Sequence, residues 1–214
     1  MPAAGRKAKS RARPLPDFTL EAQLLTSGER LVAGIDEVGR GPLAGPVVCA
    51  AVIFEAEADL PDGLDDSKRL TAARRDRLHE EILRRAHVAI AAVPAAIIDR
   101  INIRQATLLA MTQAVERLPV RPSHCLFDGR EVPEPFRDIG TAIVGGDRLS
   151  ASIAAASIVA KVSRDRMMLR ADRLFPGYGF ATNMGYGAPI HLATIAEQGP
   201  TPIHRMSFRP LSAL

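Results

Sequence analysis

The sequence predicts an α/β fold, one mixed β-sheet covered by helices, on three observations. Short apolar runs alternate with longer amphipathic stretches in the order β, β, helix, β, helix, β, β, helix, with no internal repeat. The first two runs are joined by a link too short for a helical crossover, so that pair is expected to be antiparallel. Aromatic residues make up only 4% of the 214 residues, so the core must be built from Ala, Val, Ile and Leu.

Each element has a local cause. Residues 31–35 form a short apolar run that ends at Asp36-Glu37 and gives way to a Gly/Pro-rich stretch. Residues 47–54 are apolar throughout, the pattern of a strand buried on both faces. Thr71 is placed to cap an amphipathic helix running to residue 86, with Leu78 and Ile82 one turn apart. Residues 87–93 read as a third strand ended by Pro94, and a helix over 99–118 is stopped by Pro119. Two short strands follow at 123–127 and 139–144. A small-residue helix then covers 150–175, with an Ala-rich face able to lie close against a sheet. The Gly- and Pro-rich remainder holds one more helix at 189–198, a helical C-terminal extension. Residues 1–16 carry Arg6, Lys7, Lys9, Arg11 and Arg13 and read as a disordered basic tail, with 17–214 as a single domain.

A formal net charge of +4 favours a polyanionic partner, but only mildly. Cys49 and Cys125 have no metal-ligand spacing and lie in apolar runs, as buried free thiols do in a reducing compartment. The basic N-terminus has no apolar run behind it, and no stretch is long and apolar enough to span a membrane. A cytoplasmic protein without membrane contact is expected.

The chemistry lies where three strands end on an acid. Asp36-Glu37 closes the first, Asp128 closes Cys125-Leu126-Phe127, and Asp147 follows Ile143-Val144-Gly145-Gly146. Ligands of open α/β sheets gather beyond strand ends, and carboxylates from neighbouring strands would converge there. Crowded without cations they repel and are driven to protonate. Hard divalent cations such as Mg²⁺ or Mn²⁺ remove that conflict. One such acid is more often a solvated loop residue than a ligand; four in this order favour chemistry. Adjacent residues on a regular strand point to opposite faces, so Asp36 and Glu37 are expected to share a site only where the strand ends or bulges. The five histidines show no metal-ligand spacing and are expected to be structural or superficial.

Gly39-Arg40-Gly41-Pro42-Leu43-Ala44-Gly45-Pro46 does not suit a dinucleotide loop, because two acids precede it and its prolines oppose a helix start. Its glycines would instead let the backbone approach a ribose, with Arg40 on a phosphate, unless the stretch is simply a turn.

At this point the sequence resembles the ribonuclease HII family. The resemblance is carried by Ile35-Asp36-Glu37-Val38-Gly39-Arg40-Gly41-Pro42-Leu43-Ala44-Gly45-Pro46-Val47, then Asp66-Ser67-Lys68, residues 101–107, Phe127-Asp128-Gly129, Gly146-Asp147, residues 154–165, Gly185-Tyr186-Gly187 and His204-Arg205-Met206-Ser207-Phe208. It implies a ribonuclease H-like catalytic domain over 17–214, with Asp36, Glu37, Asp128 and Asp147 as catalytic metal ligands for two divalent ions. Gly39, Arg40 and Gly41 would sense a ribose 2′-hydroxyl, and Tyr186 would pack on the sugar past the RNA–DNA junction. Lys68, Asn102, Lys161 and Arg164 are similar to family positions near the nucleic-acid backbone. Lys161 and Arg164 share a helix face, which for Arg164 is equally well a solvated one. Where the family often has Lys and Thr around Gly-Tyr-Gly, this chain has Met184 and Ala188. The related ribonuclease HIII carries an extra N-terminal domain, for which the first strand at residue 31 is expected to leave no room.

The resemblance thus implies an endonuclease that cuts RNA in RNA–DNA hybrids and 5′ of single ribonucleotides in duplex DNA, leaving 3′-hydroxyl and 5′-phosphate ends. It is expected to act as a monomer, without a small-molecule cofactor. From the residues alone, a DNA nuclease of the same fold class and a hybrid-binding module with structural acids stay open.

Overall fold

The computed structural model describes residues 15–213, so nearly all of the basic tail expected over 1–16 lies outside the described residues. The elements are α1 (Thr19–Thr26), β1 (Val32–Val38), β2 (Val47–Ile53), α2 (Ala72–Arg85), β3 (His87–Val93), α3 (Ala95–Glu116), β4 (His124–Asp128), β5 (Gly140–Ile143), α4 (Ala151–Leu174), α5 (Phe180–Asn183) and α6 (Pro189–Gln198).

The strands form one sheet in the order β3-β2-β1-β4-β5. β1–β2 and β2–β3 pair antiparallel, β1–β4 and β4–β5 parallel, so the sheet is mixed and the short first link does make an antiparallel pair. β2 is buried along its whole length, as its unbroken apolar run requires. Its alternate residues serve two cores. Cys49, Ala51 and Ile53 face α3 together with Ala33 and Ile35 of β1, while Ala50 and Val52 face α2 and α4.

The small residues of α4 let it lie directly on β1. Gly34 marks the closest approach, because a Cβ there would collide with the backbone of Ser152 and Ile153. The start of α4 is fixed by Ser150, whose hydroxyl accepts from Ile153 N–H at 3.1 Å, and by the buried Glu21 of α1, which accepts from Ser150 Oγ and Ser152 N–H at 2.6 and 2.8 Å. A carboxylate at a helix N-terminus meets orphan N–H donors and the positive end of the dipole.

Two boundaries differ from expectation, and the short helices α1 and α5 are additional. α3 begins at Ala95, so Pro94 is its N-cap rather than only the end of β3, and the helix kinks at Asn102 (φ 66°). β1 runs on to Val38 instead of closing at Asp36-Glu37. Among the described residues no helix is long and apolar enough to cross a membrane.

Candidate metal centre and the neighbouring loop

Asp36, Glu37 and Asp128 each bring a carboxylate oxygen within 4.8 Å of the others. The expected end or bulge of β1 is absent, since pairing with β2 continues regularly through Asp36, Glu37 and Val38. What opens is the other flank. The parallel ladder to β4 stops at Ile35–Phe127, and Asp36 and Asp128 are the next positions along. Asp36 lies on the α4 face and Glu37 on the α3 face, and both reach the space beyond the ladder. Asp128 Oδ1 accepts from Gly146 N–H at 2.7 Å, and Asp36 Oδ1 from Glu37 N–H at 2.7 Å.

Burial, then Glu37 and Asp128, raise the Asp36 carboxyl well above the ordinary range. Burial also raises Glu37, against the opposing pull of Arg40, whose Nη1 lies 3.3 Å from its Oε1. Among the described residues no cationic side chain forms an ion pair with Asp36 or Asp128. Three crowded carboxylates with one exposed guanidinium between them are an all-oxygen donor set short of positive charge, which fits a hard divalent cation.

Asp147 stands beside this triad rather than in it. It sits on the 3-10 turn Gly146–Arg148, 3.6 Å from Lys68 Nζ and 3.8 Å from Arg148 Nε. Burial, Asp66 and Asp128 raise its carboxyl. The buried Asp66, part of the Asp66-Ser67-Lys68 motif but given no role from the sequence, shares both cations at 3.9 and 3.7 Å. Burial works against the Lys68 ammonium, but Asp66, Asp147 and Asp36 outweigh it and hold its pKa above the usual value.

Arg40 and Gly41 are exposed at the tip of the loop after β1. Tyr186 is 52% exposed, and its Cε1 would lie 3.5 Å from a Cβ placed on Gly41. The two loops are joined by Leu43 and Ala44 N–H groups donating to Gly185 O at 2.8 and 3.3 Å. Behind Tyr186, Thr201 N–H donates to His204 Nδ1 at 2.8 Å, so the His204 proton sits on Nε2 and faces His191 Nε2 at 2.9 Å. The His191 proton is thereby placed on Nδ1, donating to Tyr186 O at 2.7 Å. On the α3 side of the triad a groove of about 430 Å³ is lined by Glu37, Arg40, Arg104, Asp128, Arg130 and Val144.

Of three expected backbone contacts, one residue is buried and two make hydrogen bonds within their own helices. Arg164 is corrected outright: at 1% exposure it can reach neither phosphate nor solvent. It donates to Pro46 O, Met184 O and Ala44 O at 3.0, 3.0 and 3.2 Å, binding the two loops together. Lys161 Nζ donates to Asp165 on its own helix at 2.7 Å, and the Asn102 side chain accepts from Gln105 N–H at 3.1 Å. Neither lines the groove.

A mixed sheet of this order with acids at the opening of its central ladder is the fold of the type 2 ribonucleases H. The ribonuclease H2 of Pyrococcus horikoshii superposes with a TM-score of 0.74 at 24% identity, covering 86% of this chain and 96% of that one. Ribonuclease HII from a PCNA complex of Archaeoglobus fulgidus gives 0.72 at 29%, covering 84% and 95%. Bst-RNase HIII in complex with Mn²⁺ gives 0.71 at 18%, covering 98% and 75%.

The chain belongs to the ribonuclease HII family, whose model matches residues 33–210. A ribonuclease HII of Brucella ovis is 54% identical over 198 residues, 92% of this chain and 90% of that protein. One of Xanthobacter autotrophicus is 55% identical over 195 residues, 91% and 78%. Membership makes the chain a divalent-metal-dependent endoribonuclease with ribonuclease H activity on RNA–DNA hybrids.

Proposed function

We propose that the chain incises duplex DNA on the 5′ side of a single embedded ribonucleotide, as well as the RNA strand of longer hybrids, leaving 3′-hydroxyl and 5′-phosphate ends. The observation that carries this reading is the adjacency of the Asp36–Glu37–Asp128 triad to the exposed Arg40–Gly41 loop and the Tyr186 ring. A nuclease that attacks phosphodiesters regardless of sugar needs the first but not the second.

Asp36, Glu37 and Asp128, with Asp147 beside them, would hold Mg²⁺ or Mn²⁺. Two such ions, when bound, would supply a water acidified for attack and positive charge for the leaving 3′-oxygen. The remaining work falls to the chain. Lys68, 3.6 Å from Asp147 and 3.9 Å from Asp66, offsets part of the negative charge beside the triad. Arg40 leaves its Glu37 contact for the incoming phosphate. The Arg40 and Gly41 N–H groups meet the 2′-hydroxyl, and Tyr186 covers the deoxyribose that follows.

The test is cleavage of a duplex with one ribonucleotide against an all-DNA duplex of the same sequence, with and without EDTA. Cutting is expected only at the ribonucleotide and only with metal. Asp36→Asn or Asp128→Asn should lower the rate by at least about a thousandfold while leaving the far-UV spectrum unchanged. Wild-type rates from Asp36→Asn would refute the assignment.

A further inference from the structure

Arg205 is fully buried and, like Arg164, forms no ion pair among the described residues. A buried guanidinium is costly unless its donors are used. Arg205 spends four bonds on the ribose-reading loop: Nη2 to Gly39 O and Gly45 O at 2.6 and 2.8 Å, Nε to Gly45 O at 3.0 Å, and Nη1 to Arg40 O at 2.9 Å. Burial and the neighbouring Arg164 lower its pKa to about 10, so it stays charged at neutral pH.

The direction of these bonds matters more than their number. In a trans peptide the C=O of one residue and the N–H of the next point opposite ways. Drawing Gly39 O and Arg40 O inward onto Arg205 therefore turns the N–H groups of Arg40 and Gly41 outward. Those two N–H groups have no partner among the described residues, and both residues are exposed. Gly39 allows the turn with φ 91°, and a Cβ there would meet Arg164 Nε and sit 2.8 Å from Pro46 O.

Arg205 is itself held on a rigid mount. Its guanidinium lies 5.0 Å from the Phe208 ring centroid. Asp99 of α3 accepts from Met206 N–H, Ser207 N–H and Ser207 Oγ at 2.9, 3.0 and 2.6 Å. Backbone bonds Arg205 N–H to Leu43 O (2.8 Å) and Gly45 N–H to Ile203 O (2.9 Å) lock the segment to the loop.

We infer that Arg205 is a positioning residue for sugar selectivity: by holding the Gly39 and Arg40 carbonyls it aims two free N–H groups at the ribose 2′-hydroxyl without touching substrate. This rests on reading residues 39–41 as the ribose sensor. Lysine cannot replace it, since one nitrogen cannot span three carbonyls in the geometry of a planar fork.

The experiment measures Kd for a duplex bearing one ribonucleotide and for the all-DNA duplex, with Ca²⁺ present so that binding is read apart from turnover. Arg205→Lys and Arg205→Met are expected to weaken ribonucleotide-duplex binding about tenfold, the worth of one lost hydrogen bond to substrate, and to leave all-DNA binding unchanged. A purely structural role would move both Kd values together. Phe208→Leu removes the aromatic shelf but keeps the donors; it should shift the ratio of the two Kd values the same way by a smaller factor. It also keeps the test decisive should the arginine variants fail to fold. If the folded variants keep the wild-type ratio, the role of Arg205 is refuted. A wild-type ratio of one would instead overturn the ribose-sensor reading itself.

Discussion

Asp36 bears a carboxyl whose charged form the folded protein disfavours through burial and the neighbouring Glu37 and Asp128. It is buried beside those two acids, and among the described residues no cationic side chain forms an ion pair with it. Asp36→Asn is therefore expected to raise the metal-free melting temperature by about 3 °C, roughly 1 kcal/mol for a chain of this size. The same variant should lose most of the melting shift that Mg²⁺ or Mn²⁺ gives the wild type; scanning fluorimetry with and without EDTA reads both. Arg164 is the opposite case, a charge whose every bond is made to backbone. Arg164→Lys should cost about 2–4 kcal/mol in urea unfolding, because at least one of three buried carbonyls loses its donor. The carboxylates were legible in the sequence because each closes an apolar run. The buried role of Arg164 was not. Helical spacing placed it on the face of Lys161, but nothing in the residue order shows that the carbonyls of residues 44, 46 and 184 lie above that face.

Among the elements, β2, β3, α2 and α6 were the plainest to read, and for a shared reason: each is bounded by its own punctuation. Thr71 caps α2, accepting from Arg74 N–H at 3.3 Å, Pro94 follows β3, and Pro189 opens α6. α1 was missed because it has only eight residues and its buried member is the acid Glu21, whose reason for burial lies at Ser150 and Ser152. The kink in α3 was missed as well. Asn102, at φ 66° and ψ 163°, occupies a region that favours glycine, and its side chain caps the second segment at Gln105. Asn102→Ala should cost about 1–3 kcal/mol, losing the cap while keeping the strain, whereas Asn102→Gly should stay within about 1 kcal/mol of wild type. The contact of β1 with α4 leaves no such latitude. Gly34→Ala must push Ser152 and Ile153 away from the sheet, with an expected loss of about 3 kcal/mol or more in urea unfolding.

At the scale of the molecule, acid acts on two groups of side chains with opposite sign. The His204 pKa is lowered from 6.5 to about 4 by burial and by His191, so between those values the unfolded chain binds the extra proton. That contribution to stability is complete above about pH 6.5 and is lost as the pH falls toward 4. The raised Asp36, Glu37 and Asp147 carboxyls favour the folded state as the pH falls. Comparing the melting profile of wild type with His204→Gln between pH 7.5 and 4.5 isolates the histidine, and the variant should lose less stability on acidification. The alternation of strands and helices revealed the architecture because it needs only local pattern. The joining of the loop after β1 to the chain near residue 205 was hidden, since it depends on closure over the whole fold. That closure has a consequence for synthesis. Arg205 reaches back 166 positions to Gly39, so a nascent chain emerging from the ribosome displays all four acids long before the clasp on the loop after β1 exists. A stop codon near residue 200 would then encode a polypeptide that keeps Asp36, Glu37, Asp128 and Asp147 but lacks the arginine that ties down the loop after β1.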